Sequence, residues 1–337
     1  GVQNVKFTRA HVRGGFHAGV LAGRLLNRNP SATLWVLVDG VVAQGSVIST
    51  VLGEGTGTGG LVGAIFTEAY LGTPGARIRL ENSRFEGEVE GREYVGGLVG
   101  RINATGGGSV VVTESYASAS VKSTSTLTSQ AAGGLVGNAG TTDASLNSVF
   151  EVTRSFALGA VDSHEGCAGG LIGRFSLVNG TGELADSFSA MSVSGDAKVG
   201  GLVGCGSASG TSNGQIQRNF VVGEVTGGEY VAGALFAGLT NGVGASWNHY
   251  ATDTVGLSQF IPGVDDPDAS MAVTASDLEC PDAPDNVDDC VEDVTLYDDW
   301  STDIWSFDAG RLPGLVLEAG TYWVEQGSNG WTLVQQL

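Results

Sequence analysis

Four histidines, four cysteines and many carboxylates are the side chains of this 337-residue chain that could carry catalysis or bind a metal. A zinc peptidase requires two histidines one helical turn apart, as in H-E-x-x-H. The stretch "HEG" at 164–166 has no second histidine in helical register. We therefore expect surface or corner positions for the histidines, which are His11, His17, His164 and His249.

Two glycine-containing stretches match known functional motifs by letter. "GTGTGG" at 55–60 fits the dinucleotide fingerprint, but it runs into "LVGAIF", a strand pattern where that fingerprint needs a helix. "GTSNG" at 210–214 fits a nucleophile elbow, but its flanks predict a polar corner and then a strand. Neither stretch has the context that nucleotide binding or nucleophilic catalysis requires.

Polysaccharide lyases and hydrolases need paired carboxylates, or a basic residue with calcium, on one exposed face. The chain has 36 acidic residues, but their spacing does not align them in one column. Its 16 basic residues are too few to hold a polyanionic sugar. We predict that the chain is not an enzyme, and we keep a carbohydrate-active enzyme, a lyase or hydrolase, as the alternative.

The cysteines predict one local disulfide and allow another. Cys280 and Cys290 bracket a short proline-containing loop, which favours a disulfide in an exported protein. Cys167 and Cys205 could pair across neighbouring repeats if register permits, and would otherwise be buried small apolar residues. The acidic run within 265–299 could bind calcium, although a solvated acidic surface is the simpler interpretation. No other cofactor is predicted.

The formal net charge is −20, and only three lysines occur. Such a surface repels nucleic acid and anionic membranes, so neither is an expected partner. The chain contains no run of 18 or more apolar residues, so we do not expect it to insert into a membrane. Because no signal-peptide pattern precedes Gly1, we expect either a removed targeting segment or an excerpt of a longer protein.

A five-residue block, Gly-Gly-Leu-Val-Gly or a variant, recurs at intervals of 31 to 41 residues. Its glycines indicate either positive φ angles or neighbouring chains too close for a side chain. Strict strand alternation would expose one of the two central apolar residues, and we expect the chain's own loops, rather than another subunit, to cover it. The repeated residues are Gly59, Gly60, Leu61, Gly96, Gly97, Leu98, Gly133, Gly134, Leu135, Gly169, Gly170, Leu171, Gly200, Gly201, Leu202, Gly233 and Leu235, with a distant copy from Ala18.

A second recurring element is an aromatic residue, usually after Ser or Asn, followed by small residues and a valine. Together with the block it gives each repeat about three short strands, which predicts one coil of a β-solenoid per repeat. The 55 glycines and seven prolines agree with an all-β chain that has many tight corners. The aromatic elements begin at Phe85, Tyr116, Phe156, Phe188, Phe220 and Tyr250.

The two elements together resemble the GLUG motif repeat of bacterial surface proteins. "DSFSAMSVSGDAKVGGLVG" and "RNFVVGEVTGGEYVAGALFAG" carry the resemblance, and "LYDDWSTDIWSFDAGRLPGL" is similar to the tail that follows such repeats. The resemblance covers about residues 2–317. It implies a right-handed parallel β-helix in which the motif is architectural, as in large secreted adhesins and some IgA-cleaving metallopeptidases.

The sequence thus predicts an all-β, right-handed parallel β-helix (β-solenoid) with about seven coils and a C-terminal cap. Residues 1–257 would form the GLUG-like repeats, and 258–337 an acidic, Trp-rich cap or subdomain. We expect a non-catalytic structural or adhesive protein, extracellular or on the cell surface: an adhesin, a fibre subunit or, alternatively, a spacer module of a larger secreted protein. Its partner would be a second copy, as homo-oligomer or fibre, or a cell-surface or polysaccharide ligand.

Overall fold

The computed structural model describes residues 1–29, 34–51, 53, 55–69, 75–142, 147–227, 232–238, 242–257, 272–279, 296–297, 299–308, 310–328 and 330–337. Within them the regular secondary structure is almost entirely β-strand, with two single-turn helices, α1 (Thr252–Val255) and α2 (Ala275–Leu278). The first half contains β1 (Val2–Gln3), β2 (Lys6–Gly14), β3 (Ala22–Asn27), β4 (Trp35–Asp39), β5 (Val42–Ser49), β6 (Gly57–Gly59), β7 (Val62–Thr67), β8 (Arg77–Glu81), β9 (Arg84–Gly91), β10 (Tyr94–Gly96), β11 (Val99–Ala104), β12 (Ser109–Thr113), β13 (Tyr116–Ser123), β14 (Ala131–Gly133), β15 (Val136–Thr141) and β16 (Val149–Thr153). The second half contains β17 (Phe156–Ser163), β18 (Cys167–Gly169), β19 (Ile172–Val178), β20 (Thr181–Gly195), β21 (Lys198–Gly200), β22 (Val203–Ser209), β23 (Asn213–Val221), β24 (Val225–Thr226), β25 (Ala232–Gly233), β26 (Val243–Ser246), β27 (His249–Ala251), β28 (Ala272–Val273), β29 (Trp305–Ser306), β30 (Gly314–Leu317), β31 (Gly320–Gly327) and β32 (Gly330–Gln336).

Strands of successive repeats pair in parallel and form three large sheets among the described residues. Sheet A has 16 strands in two rows, which join because β20 continues from one row into the other. Sheets B and C have six strands each, running from β6 to β25 and from β3 to β22. A separate four-stranded antiparallel sheet, β29 to β32, follows them. The prediction of an all-β chain with parallel strands is confirmed.

The prediction of a single right-handed parallel β-helix with about seven coils and a C-terminal cap is wrong. The strands are distributed over sheets of 16, 6 and 6 strands instead of one uniform helix. A full repeat contributes four strands rather than three, for example β8 to β11, and two of these lie in sheet A. The C-terminal antiparallel sheet packs against the side of sheet A, where it covers outward-facing aromatic residues. The sequence period gives the number of repeats, but it does not give the number of bends, and therefore of strands, within each repeat.

The repeated block forms the corner between sheets B and C. β10 ends at Gly96, and β11 begins at Val99, so Leu98 lies in the bend between them. Because the chain turns here, strand alternation is interrupted, and Leu98 and Val99 are both fully buried. No loop or second subunit is needed to cover either side chain.

Close approach between neighbouring repeats explains the block's glycines. A Cβ atom on Gly97 would overlap the carbonyl oxygen of Gly134, and one on Gly134 would overlap that of Gly170. None of the block glycines is among the residues with positive φ. Of the two reasons that the sequence allowed, steric exclusion therefore applies and backbone handedness does not.

A second corner separates the two rows of sheet A. One residue per repeat takes positive φ there, such as Glu114 (φ 49°) and Arg154 (φ 48°). The next residue is a buried Ser or Asn that bonds across repeats: the Ser115 N–H donates to Ser155 Oγ (3.2 Å), and the Ser155 N–H donates to Ser187 Oγ (3.1 Å). This column satisfies backbone groups that the turn would leave unpaired.

An aromatic column follows that corner on the outer face of sheet A. The rings of Tyr116, Phe156, Phe188 and Phe220 stack with centroids 4.6, 4.7 and 5.0 Å apart. The residue in register before Tyr116 is Arg84, not Phe85. The residue in register after Phe220 is His249, not Tyr250.

The first and last aromatic elements of the sequence analysis were therefore one residue out of register. Phe85 and Tyr250 belong to the inner core instead. A shift of one residue moves a strand side chain to the opposite face.

Two apolar clusters result from this arrangement. The inner cluster lies between sheets A, B and C and contains the block leucines. The outer cluster contains the aromatic column and the C-terminal aromatics, with Trp305 5.8 Å from Phe220 and Tyr322 5.7 Å from Phe156. Arg154 adds a polar contact by donating to the Val316 carbonyl (2.7 Å).

Candidate assembly surface

The first repeat leaves strand edges open at one end of the parallel sheets. β1 and β2 are terminal strands of sheet A, and β3 is the terminal strand of sheet C. In the described part of the chain they pair on one side only, with β4, β5 and β7 respectively. Their other edges present backbone groups that another strand could meet.

Large apolar side chains are exposed mainly at this same end. Phe16, Leu34 and Trp35 are 63%, 58% and 39% exposed, and Leu26 and Val51 are also exposed. Among the described residues, Leu127 and Leu337 are the large exposed hydrophobics located elsewhere. We call the free edges of β1 to β3, with Phe16, Leu34 and Trp35, the first-repeat surface.

This end is basic, although the protein as a whole is strongly acidic. Residues 1–38 contain five Lys or Arg and no Asp or Glu, whereas 39–337 contain the other 11 basic residues and all 36 acidic ones. The sequence analysis missed this segregation because it considered the whole-chain charge of −20. A charge count per repeat would have found it. The five basic residues, all exposed, are Lys6, Arg9, Arg13, Arg24 and Arg28.

Three of these cations are not engaged within the described residues. Arg24 and Arg28 pair with Glu68 at 3.1 and 2.7 Å. Lys6, Arg9 and Arg13 form no ion pair with any described residue. They remain available for an acidic partner.

The edge strand β2 also carries a bulge. Its register against β5 shifts between Phe7 and Ala10, and Arg9 has a positive φ of 56°. Bulges and charged residues on an edge strand discourage indiscriminate strand pairing. The first-repeat surface is therefore selective: it disfavours contact with a second first-repeat surface and favours a negatively charged one.

His17 lies behind this surface. Burial, with the neighbouring Arg24 and Arg101 guanidinium groups, lowers the pKa of His17. Neutral imidazole can accept a hydrogen bond, and Nδ1 accepts one from the Gly57 N–H at 3.0 Å. Arg24 also lies 4.4 Å from the centre of the Phe66 ring. The bond to His17 and the backbone bonds of Ala18 with Gly57 (3.0 Å) and Gly59 (2.9 Å) hold these two residues against the edge of β6.

The other three histidines are distributed over separate sites. His11 Nδ1 lies 2.9 Å from Ser46 Oγ, and His164 Nδ1 lies 2.8 Å from Asp196. His249 Nε2 lies 2.7 Å from the Leu296 carbonyl. Within the described residues, no group of three or more His, Cys, Asp or Glu could hold a metal ion.

The glycine-rich motifs form parts of the sheets. Residues 57–59 of "GTGTGG" are strand β6, and the next element is strand β7. In "GTSNG", Asn213 begins β23. A strand therefore follows each motif where a nucleotide site or a nucleophile elbow would need a helix.

The repeat leucines are brought together by direct backbone contacts. The N–H groups of Leu98 and Val99 both donate to the Leu135 carbonyl, at 2.9 and 3.0 Å. Leu135 and Val136 donate in the same way to Leu171, at 3.0 and 2.9 Å. The pattern continues from Leu171 to Leu202 and from Leu202 to Leu235. The block is thus an architectural unit.

The structure joins Cys167 and Cys205 in a disulfide, with Cα atoms 5.7 Å apart. It connects β18 of sheet B to β22 of sheet C in the next repeat. Cys280 and Cys290 lie outside the described residues, as does most of the acidic run proposed to bind calcium. That disulfide and calcium binding remain predictions.

Two carboxylates are register partners on the outer face of sheet A. Glu151 on β16 pairs with Glu183 on β20. Burial and the neighbouring Glu183 charge raise the pKa of Glu151. The sequence analysis did not align these residues, because the loop before β16 is longer than the corresponding loop before β20.

Comparisons with known proteins give no relative for this chain. No protein-family model matches it, and neither a curated protein nor a solved structure matches it. In the described part of the chain, neither short helix is long or apolar enough to cross a membrane.

Proposed function

We propose that this chain is a non-catalytic structural or adhesive protein of the cell exterior, which self-associates through the first-repeat surface. The observation that carries the proposal is that, among the described residues, open strand edges, exposed apolar side chains and cations without an ion pair coincide at one end of the parallel sheets. An exposed apolar patch beside open edges is typical of an interaction site.

Other features support a location outside the cell. The Cys167–Cys205 disulfide is a type of bond that persists in oxidising environments. The resemblance to GLUG repeats points in the same direction, because such repeats occur in secreted adhesins. An adhesin or a subunit of an extracellular fibre fits both features.

Sedimentation velocity across a wide range of protein concentration tests self-association. We expect the sedimentation coefficient to rise with concentration, and we expect Trp35→Ser to reduce that rise. Leu127→Ser removes an exposed apolar side chain elsewhere and is the matched control. A wild-type protein that stays monomeric throughout would contradict the proposal.

A carbohydrate-active enzyme is a second candidate function, which the pairing of Glu151 with Glu183 favours. Glycosidases use two neighbouring carboxyl groups as general acid and as base or nucleophile. Release of reducing ends from a panel of acidic and neutral polysaccharides tests it. Activity that Glu151→Gln abolishes, while circular dichroism stays unchanged, would favour the enzyme. Equal product release by the wild type and by Glu151→Gln would reject the enzyme as a candidate function.

A further inference from the structure

We infer that copies of this chain associate head to tail, with the basic first-repeat surface of one copy against the acidic last repeats of the next. The inference rests on the proposed self-association and adds its polarity and its partner surface. It follows from the charges and strand edges at the two ends of the parallel sheets.

Like charge on the first-repeat surface disfavours a symmetric contact between two copies. Two first-repeat surfaces facing each other would bring together two sets of three cations that form no ion pair with any described residue. Like charges placed opposite each other oppose association. The unpaired cations Lys6, Arg9 and Arg13 therefore disfavour a head-to-head dimer and favour an acidic partner.

The last repeats, at the opposite end of the parallel sheets, supply negative charge. Residues 219–310 contain 18 Asp or Glu and no Lys or Arg. Seven of these acidic residues are described, and five of the seven are exposed: Glu224, Asp253, Asp299, Asp303 and Asp308. Half of the protein's 36 acidic residues therefore lie in the part of the chain that follows the last full repeats.

The strand order places the cations of β2 at one end of the parallel sheets and Glu224 and Asp253, which flank β24 and β27, at the other. The large sheets begin with strands of the first repeat, β1, β2 and β3. They end with strands of the last repeats, including β25 and β28, which in the described part of the chain also pair on one side only. Residues 236–238 cover the outer edge of β22. Both ends therefore offer unpaired backbone edges of parallel strands.

A contact between two different surfaces has a defined consequence. Head-to-tail association is heterologous, so it does not close on itself unless the rotation per subunit forms a ring. A copy bound through its basic end still has its acidic end free. Assembly therefore continues into a filament of uniform polarity, with strong dependence on salt.

Complementary charge reversal tests the inference with the whole chain. The head variant carries Lys6→Glu and Arg13→Glu, and the tail variant carries Glu224→Lys and Thr226→Lys; all four side chains are exposed. Matched controls apply the same charge changes on strands that pair on both sides: Lys122→Glu with Lys198→Glu, and Glu88→Lys with Ser120→Lys, again at exposed positions. Circular dichroism verifies folding, and sedimentation velocity measures association.

We expect each reversed variant alone to associate at least about tenfold more weakly than wild type in low salt. An equimolar mixture of the two should regain association. The first-repeat surface of the head variant, now acidic, can then bind the last repeats of the tail variant, which are now basic. The controls should behave like wild type, and about 1 M NaCl should weaken every assembly.

Head-to-tail assembly is wrong, while self-association stands, if wild type associates but the mixture does not. The same holds if the control variants associate as weakly as the head and tail variants. If wild type remains monomeric at every salt concentration, both proposals fall.

Discussion

The Leu98 amide nitrogen lies 2.9 Å from the Leu135 carbonyl oxygen, and the Val99 amide nitrogen lies 3.0 Å from the same oxygen. One carbonyl thus accepts two hydrogen bonds at the corner where sheet B passes into sheet C. The two preceding glycines make this approach feasible, because a Cβ atom on Gly97 would overlap the Gly134 carbonyl. The repeated block is therefore a device for bringing two backbones together at a buried corner.

Substitution of Gly134 tests this explanation of the block. Gly134→Ala places a Cβ atom against the Gly170 carbonyl and the Met191 side chain, in a core without room to relax. We expect a loss of roughly 1–3 kcal/mol or more in the free energy of unfolding. Gly238→Ala is the control, because no heavy atom lies within 4 Å of its added Cβ. Chemical denaturation measures both, and equal stability of the two variants would contradict steric exclusion.

The aromatic column should hold the C-terminal sheet in place. Phe156 stacks between Tyr116 and Phe188 and lies 5.7 Å from the Tyr322 ring. We expect Phe156→Ala to cost about 3–5 kcal/mol of stability. It should also red-shift the tryptophan fluorescence, since Trp305 and Trp300 pack in the same cluster.

Phe16→Ala removes an exposed ring and is the matched control, with an expected effect within about 0.5 kcal/mol. Unchanged fluorescence in Phe156→Ala would show that the C-terminal sheet is held independently of the column.

The disulfide between Cys167 and Cys205 should stabilise the later repeats. The two residues are 38 positions apart in the sequence, so the bond restricts a long loop of the unfolded chain. We expect the double substitution Cys167→Ser and Cys205→Ser to cost about 2–4 kcal/mol. Peptide mapping without reduction also reports whether Cys280 and Cys290 are linked. A linkage that joins Cys167 to any other cysteine would contradict the register of β18 and β22.

Glu151 predicts a pH dependence with a definite sign. Its pKa is raised in the folded protein by burial and by Glu183, so folding favours the protonated form. The associated stability is present below the unfolded-state pKa and is lost as the pH rises through the folded-state pKa. At pH 7 we therefore expect Glu151→Gln to raise the free energy of unfolding by about 0.2–1 kcal/mol.

The gain should disappear near pH 4, where carboxyl groups protonate in both states. Glu88→Gln is the control, since its register neighbours are Ser46 and Ser120. A gain from Glu151→Gln that is equal at both pH values would contradict a role for its charge.

Sequence repetition reveals which residues of this protein are equivalent, but it does not reveal where the chain turns. The block spacing relates Leu98, Leu135 and Leu171, which the structure places as neighbours. It does not indicate that Gly97 and Leu98 form a corner, because apolar residues on both sides of a bend look like a continuous strand. The register of Arg84 under Tyr116 was missed because Phe85 is the stronger apolar signal.

Long-range docking was also beyond the sequence analysis. The aromatic column was recognisable from Phe156 and Phe188, but nothing local indicated that Tyr322 and Trp305 would cover it. The basic first repeat was recognisable in principle, since residues 1–38 lack acidic side chains. Averaging charge over the whole chain concealed it. Periodic signals were thus accessible, and contacts between distant, non-repeated segments were not.

Hydrogen exchange of the first-repeat strands tests the proposed role of the protein most directly. Amide exchange in β2 and β3 is compared between dilute protein and concentrated protein at low salt, with β13 in the middle of sheet A as the internal reference. We predict that exchange in β2 and β3 slows on concentration while β13 is unchanged, because the open edges become paired or covered. Equal exchange of β2 and β3 at both concentrations would contradict a role for this end in assembly.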